Sequence, residues 1–227
     1  LGFNGARLHE KMFEPRFLYY CDKAGYLVWG EHANWGLDIN NEDGLLNFLP
    51  EWCETVERDF NHPAIIGWCP FNETWNQFGT TARRILRAVY EETKRLDHTR
   101  PVIDTSGCYH VITDVYDQHD YDQNPENFRK SYADYNGKAD SFNLLYKNDQ
   151  IYIPDLPLFM SEFGGIKWIP ENERKSAAEN SWGYGNAPAT EEEFFARYEG
   201  LVSALLEAPN IMGFCYTQLY DVEQEVN

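Results

Sequence analysis

Short apolar runs rich in β-branched and aromatic residues recur along the chain, each followed by a stretch whose apolar positions return every three or four residues. The runs Gly5–Leu8, Tyr26–Gly30, Ile65–Cys69, Pro101–Asp104, Val111–Tyr116, Leu158–Met160 and Ile211–Tyr216 are continuous and bounded by turn residues. That pattern predicts strands covered on both faces, as in a parallel sheet. Ala82, Ile85, Leu86, Val89, Tyr90, Thr93 and Leu96 share one helical face and predict an amphipathic helix from Thr81 to Leu96. Thr190 followed by Glu193 reads as a capping box, after which Phe194, Tyr198, Leu201, Val202 and Leu205 form an apolar stripe ending at Pro209. A third helix is expected through Trp52, Val56 and Phe60, with Pro50 in its first turn, and a shorter one from Pro15 to Lys23. Alternation of this kind means an α/β fold with right-handed crossovers.

The predicted strands fit either an open doubly wound sheet or a (β/α)8 barrel of the TIM type that lacks one βα unit, most simply the first. No Gly-rich phosphate loop follows the first strand, which weakens the nucleotide-binding version of the open sheet. Two long connections, Asp117–Asp155 and Gly164–Pro188, are rich in Asn, Asp, Tyr, Gly and Pro. Connections of that length are usually functional, and in a barrel they would overhang the active-site face.

Charge narrows the partners. With 19 Lys and Arg against 37 Asp and Glu, the net charge is −18, which argues against nucleic acid or an anionic membrane surface as partner. No apolar run is long enough to span a bilayer. The chain opens on Leu1-Gly2-Phe3-Asn4 rather than on a signal peptide or an initiator Met, so it is expected to be a piece of a longer protein. The 5 cysteines are widely spaced with no C-x-x-C pair, which supports neither a disulfide framework nor a zinc ribbon. Aromatic residues reach 16%, which suits an aromatic-lined cleft or a large core equally well.

Two carboxylates come directly after predicted strands: Glu73 in Trp68-Cys69-Pro70-Phe71-Asn72-Glu73, and Glu162 in Leu158-Phe159-Met160-Ser161-Glu162. At the carboxyl ends of barrel strands such residues point into the site face, and these two would face each other across the barrel mouth. Glycoside hydrolysis needs such a pair, one protonated at the leaving oxygen and one ionised at the anomeric carbon. The ordinary alternative for either Glu is an acid stabilising a helix N-terminus. Trp35, Trp75, Trp168 and Trp182 fall in the loops after strands, as sugar-stacking rings or as packing anchors, with Trp168 the favoured contact.

Several segments together resemble one family. Asn61-His62-Pro63, Ile65-Ile66-Gly67-Trp68 and Phe71-Asn72-Glu73 are similar to the acid/base signature of glycoside hydrolase family 2, the β-galactosidase and β-glucuronidase family. Gly2-Phe3-Asn4-Gly5-Ala6-Arg7 resembles its second barrel strand, and Pro157-Leu158-Phe159-Met160-Ser161-Glu162-Phe163-Gly164 its nucleophile strand. The resemblance implies strands two to eight of a catalytic barrel over residues 1–227, without the sandwich domains that precede the barrel in the family. It implies Glu73 as general acid/base, Glu162 as nucleophile and Asn72 as the partner of the sugar 2-hydroxyl. Tyr121 matches the tyrosine that holds the nucleophile, with His119 two residues away, and Arg7 matches an arginine near the nucleophile. A cation and a phenol beside Glu162 would keep it ionised, while an apolar wall around Glu73 would raise its pKa.

Glu31-His32-Ala33-Asn34 is similar to the family's Asp-Glu-Ala-Asn segment, with Gly30 in place of Asp. Glu31 and Asn34 are therefore secondary site residues, unless Glu31 only pairs with Arg7 as scaffold. Departures concern sugar choice: Leu8-His9-Glu10-Lys11 replaces the familiar Ser-His, Tyr216 stands where strand eight often has Trp, and the Asp38–Gly44 loop lacks a magnesium-supporting Glu-x-His. No metal and no other cofactor is expected. The implied reaction is retaining exo-hydrolysis of a terminal β-linked sugar, with β-galactosidase the first expectation and β-glucuronidase the alternative. The retaining mechanism calls for about 5–5.5 Å between the two carboxyl groups. Asn136-Gly137-Lys138 has the letters of the glucuronidase Asn-x-Lys signature in a different loop.

Rival chemistries find little support. His9, His32, His110 and His119 form no H-x-H or H-E-x-x-H pair for a metallohydrolase, and no G-x-S-x-G elbow is present. The rival from another class is a barrel fragment that only binds sugar weakly or is inactive. The expected partner is an oligosaccharide or β-glycoside substrate; compartment and a homo-oligomeric state are left open by the sequence.

Overall fold

In the computed structural model of the chain, residues 2–75, 77–135, 153–173 and 180–227 are described. They form two units, each treated by itself: one runs up to Asp117 with residues 153–156, the other covers 118–135, 157–173 and 180–227. The tripeptide Asn136-Gly137-Lys138 and parts of both long connections lie outside the described residues.

The first unit carries β1 (Gly5–Arg7), β2 (Leu27–Glu31) and β3 (Ile65–Cys69), hydrogen-bonded in that order and parallel throughout. Helices α1 (Pro15–Ala24), α2 (Glu42–Asp59) and α3 (Thr80–Leu96) follow the strands in turn. Two cross-strand pairs set the β2–β3 contact: Trp29 lies opposite Gly67 and Gly30 opposite Trp68. A Cβ on Gly67 would come 2.1 Å from the Trp29 ring, and one on Gly30 2.7 Å from Trp68. At both positions only glycine leaves room for the facing indole. Trp68 is fully buried with its indole N–H on Asp97, and Trp52 donates to Thr93 on α3, so both large rings are also polar-satisfied. Hydrogen bonds from Thr99, Trp68 and Arg100 outweigh the effect of burial on Asp97 and hold its carboxyl well below the usual range.

The helices follow from local chemistry. Pro15 opens α1, and Gly25, at φ 66, closes it in the left-handed conformation. Along α3, Ala82, Ile85, Leu86, Val89 and Thr93 are buried, as the helical spacing requires. The expectation for Pro50 was wrong: α2 starts at Glu42, capped by Asn41, so Pro50 is inside the helix rather than in its first turn. Pro50 lies on the exposed face of α2, where a carbonyl that loses its N–H partner can bond water instead.

Two predicted strands also differ. Pro101–Asp104 is not a regular strand; the chain there runs beside β3 and pairs at two separate points, Trp68 with Val102 and Asn72 with Ser106. Of the expected strand Val111–Tyr116, residues 111–115 are a loop, and β4 spans Tyr116–Asp120 instead. The reason is Asp104, whose carboxylate accepts from the backbone of Val111 and Ile112 and so takes the N–H groups that a strand would use.

The second unit is built on the sheet β4-β5-β6, with β5 (Leu158–Gly164) and β6 (Ile211–Thr217) parallel. Helices α4 (Pro125–Tyr132) and α5 (Glu191–Glu207) cover it, and a Cβ on Gly200 would come 2.7 Å from Pro125, so the two helices meet closely. The capping box on α5 is present: Thr190 accepts from the Glu193 N–H, and the Glu193 carboxylate accepts from Ala189. Every residue of β5 is buried. Among the described residues, no helix is long and apolar enough to cross a membrane.

Candidate functional site

In the first unit, the parallel order brings the carboxyl ends of β1, β2 and β3 together, and with them Arg7, Glu31 and Asn72. Arg7 Nε donates to Glu31 Oε2 at 2.7 Å and Nη2 to Oε1 at 2.9 Å, with the Glu31 side chain fully buried. The same Nη2 donates to Asn72 Oδ1 at 2.6 Å. Arg7 thus fixes both the buried carboxylate and the orientation of the neighbouring amide, a task suited to a planar fork of donors.

Asn34 and Asn72 interlock. The Asn34 side-chain amide donates to the Asn72 carbonyl at 2.9 Å and accepts from the Asn72 N–H at 2.6 Å. Asn72 is fully buried, yet its Nδ2 has no acceptor among the described residues. With Oδ1 committed to Arg7, that N–H pair is the part of the amide able to donate to a further oxygen.

Glu73 follows at φ 47, in the left-handed region that side chains rarely occupy. Its N–H donates to the Ser106 carbonyl at 2.9 Å, and Ser106 N–H donates to Phe71 at 2.8 Å. Backbone of this kind persists where the surroundings over-determine it. Glu10, at φ 48, was not singled out by the sequence; its N–H donates to Glu31 and its carboxylate accepts from the N–H groups of Asn34 and Trp35. Burial pushes the Glu10 carboxyl up against those backbone donors. Nothing in its spacing marked it, because its partners come from β2 and the loop after it.

In the second unit, Glu162 is the fifth residue of β5 and buried. Met160 pairs with Phe214 and Phe163 with Tyr216, so Ser161 and Glu162 together face one residue of β6. This bulge re-aims the carboxylate out of the strand's alternation. The Tyr121 hydroxyl donates to Glu162 Oε2, and His119 Nδ1 lies 3.3 Å from the same oxygen. Burial first, and then the Glu162 charge, push the Tyr121 phenol far up, so it stays a donor.

Tyr121 is itself clamped. Its ring stacks on Tyr184 at 3.5 Å between centroids, and Gln123 donates to both the Tyr121 and Gly164 carbonyls. Gly164 and Gly165 have φ 88 and 56, and a Cβ on either would strike Tyr216 or Tyr184 at 2.2 and 2.4 Å. Gln123 and Tyr184 were missed from sequence; the Gly183-Tyr184-Gly185 triplet is the one visible trace. Trp168 is half-buried with its ring against Phe194 of α5, 5.6 Å between centroids. Tyr216 packs edge-on against Phe163 and Tyr198, and burial pushes its phenol up to about 12.

Comparison with known proteins gives these groups a context. Residues 1–146 match the family model described as glycosyl hydrolases family 2, TIM barrel domain. The β-glucuronidase of Chlorocebus aethiops is 34% identical over 105 residues, which is 45% of this chain and 16% of that protein. A β-galactosidase of Vibrio cholerae is 31% identical over 121 residues, 50% of this chain and 11% of that protein. Among solved structures, a β-D-glucuronidase of Dictyoglomus thermophilum aligns with a TM-score of 0.67 at 21% identity, covering 99% of this chain and 39% of that one. A family 2 β-galacturonidase of Eisenbergiella tayi aligns at 0.65 and 19% identity, covering 94% and 37%. At such identities the structural likeness speaks for the fold alone, and the chain spans well under half the length of these relatives. The two parallel three-stranded sheets, the carboxylates after β3 and within β5, and the match over residues 1–146 agree: the chain belongs to glycoside hydrolase family 2, in its TIM barrel domain.

Proposed function

We propose that the chain forms strands two to eight of a (β/α)8 catalytic barrel and that its parent protein is a retaining exo-β-glycosidase. Glu162 is the nucleophile and Glu73 the general acid/base. The carrying observation is the buried Glu162 carboxylate, turned out of β5 by a bulge and accepting from the Tyr121 hydroxyl. A donor on one oxygen orients the other for in-line attack on the anomeric carbon.

In the first step a Glu162 oxygen bonds to the anomeric carbon, and the glycosidic bond breaks as the Glu73 proton passes to the leaving oxygen. In the second step Glu73, now a carboxylate, takes a proton from water, whose oxygen displaces Glu162 and restores the anomeric configuration. Asn72 Nδ2 is the donor for the sugar 2-hydroxyl, a bond that strengthens as positive charge develops on the ring. Arg7, Glu31 and Asn34 hold Asn72 in place, His119 and Tyr121 hold Glu162, and Trp168 gives an apolar wall for the sugar. A β-galactoside remains the first substrate expectation. The similarity to β-glucuronidases and to a β-galacturonidase supports a β-uronide as the second reading.

A panel of 2-deoxy-2-fluoro-β-glycosyl fluorides, with galactose, glucuronic acid and galacturonic acid included, tests the reaction and the sugar together. The active full-length protein is expected to gain the mass of one fluorosugar, mapped to Glu162 by peptide sequencing. An adduct on another residue, or turnover with inverted anomeric configuration, would overturn the proposal.

A further inference from the structure

The loop between Asp104 and Asp117 contains a buried charge cluster that the proposed chemistry does not use. His110 lies between two aspartates: Nδ1 is 2.7 Å from Asp104 Oδ1 and Nε2 is 3.2 Å from Asp117 Oδ1. The imidazole is 1% exposed and both carboxylates are 0% exposed. Asp104 also caps the N–H groups of Thr105, Val111 and Ile112. Asp117 accepts from the Ser106 hydroxyl and from the Gly107 N–H. Burial alone would lower the His110 pKa; the two carboxylates outweigh it and push it up to about 10.

Such a cluster is expensive, since buried ions give up hydration that apolar packing would not have to replace. What it fixes is the backbone at Ser106. That residue sits in the middle of the hold on the Asn72-Glu73 turn, its carbonyl accepting from Glu73 N–H at 2.9 Å and its N–H donating to Phe71 at 2.8 Å. Among the described backbone bonds, this contact secures the left-handed conformation of Glu73.

We infer that the Asp104–His110–Asp117 cluster is a positioning device for Glu73, acting through Ser106 to hold the turn that aims the carboxylic acid at the leaving oxygen. This rests on Glu73 being the acid/base. His110 touches no substrate; it determines where Glu73 stands.

The distinguishing readout is dependence on the leaving group. A misplaced acid matters where the leaving oxygen needs its proton and matters little where the leaving group departs unaided. In the full-length enzyme, Ser106→Ala and His110→Gln are compared on methyl and 2,4-dinitrophenyl β-glycosides of the sugar that labels Glu162. Ser106→Ala keeps the ionic cluster and removes only the hydroxyl link, so it serves if His110→Gln does not fold. The expected result is a fall in kcat/KM of about 10²-fold on the methyl glycoside, the scale of a misplaced group, with the dinitrophenyl glycoside little changed. Equal loss on both substrates, or no loss on either, would overturn the positioning role. Glu73→Ala is the reference: it should show the same split more strongly and be rescued by azide on the dinitrophenyl substrate. If Glu73→Ala shows neither, the acid/base assignment falls, and the inference with it.

Discussion

The two units hold their carboxylates by different means. Around Glu73 the scaffold is polar: Arg7 bridges Glu31 and Asn72, Asn34 locks onto the Asn72 backbone, and Asp117 of the buried His110 cluster accepts from the Ser106 hydroxyl. Around Glu162 it is aromatic: Tyr121 stacks on Tyr184, Tyr216 packs on Phe163, and two glycines make room for the rings. A polar scaffold fails when one charge loses its partner, whereas an aromatic one fails when volume is added. Each arrangement therefore has its own characteristic mutation and its own response to pH.

The largest effect is expected in the first unit. Arg7→Ala leaves the Glu31 carboxylate, 0% exposed, without its cation, and should cost about 3–5 kcal/mol in urea unfolding. Arg7→Lys should recover part of this, because charge is kept while the two-pronged bond is lost. A loss below 1 kcal/mol in Arg7→Ala, taken as about the value of a surface pair, would show that the network is not what holds this edge.

The corresponding break in the second unit is Gly164→Ala. Positive φ and a Cβ 2.2 Å from the Tyr216 ring should together cost about 1–3 kcal/mol. Gly36→Ala is the control, with φ +89 and nothing within 4 Å of the added Cβ, so it carries backbone strain alone. Equal losses at both positions would mean that aromatic packing around Gly164 contributes nothing.

The third effect is graded with pH rather than set by one substitution. The folded-state pKa of His110 is raised from its ordinary 6.5 to about 10. The stability it contributes is therefore complete below about 6.5 and lost as pH rises toward about 10, by at most about 1.4 kcal/mol per pH unit. Urea midpoints taken from pH 6 upward should fall in the native protein, and His110→Gln should flatten that slope. An unchanged slope would show that the imidazole is not the group that titrates.

The sequence showed α1, α3 and α5 well because their signals are local, but it started α2 too late and left α4 inside a long connection. Five buried positions of α3 fall where the spacing put them, and the Thr190 cap needs only its neighbours. It showed β3 and β5 because buried parallel strands are written as continuous apolar runs, and the two carboxylates because they end those runs. It failed where a side chain captured the backbone. Asp104 removes Val111 from strand pairing, although the run from Val111 to Tyr116 has strand composition. It also missed Glu10, Gln123 and Tyr184, whose partners lie on other elements.

By itself, then, the sequence determined the alternation of strands and helices, the family resemblance, and two glutamates beside buried apolar runs, although β5 extends past Glu162 rather than ending before it. Those features depend on side-chain type and on spacing along one segment. Only the tertiary structure decided that Arg7 pairs with Glu31 and Asn72, that a bulge turns Glu162 out of its strand, and that His110 is buried between Asp104 and Asp117. Each of those depends on registers between separate strands and on which donors and acceptors remain unmet once the backbone has folded, and local spacing does not encode either.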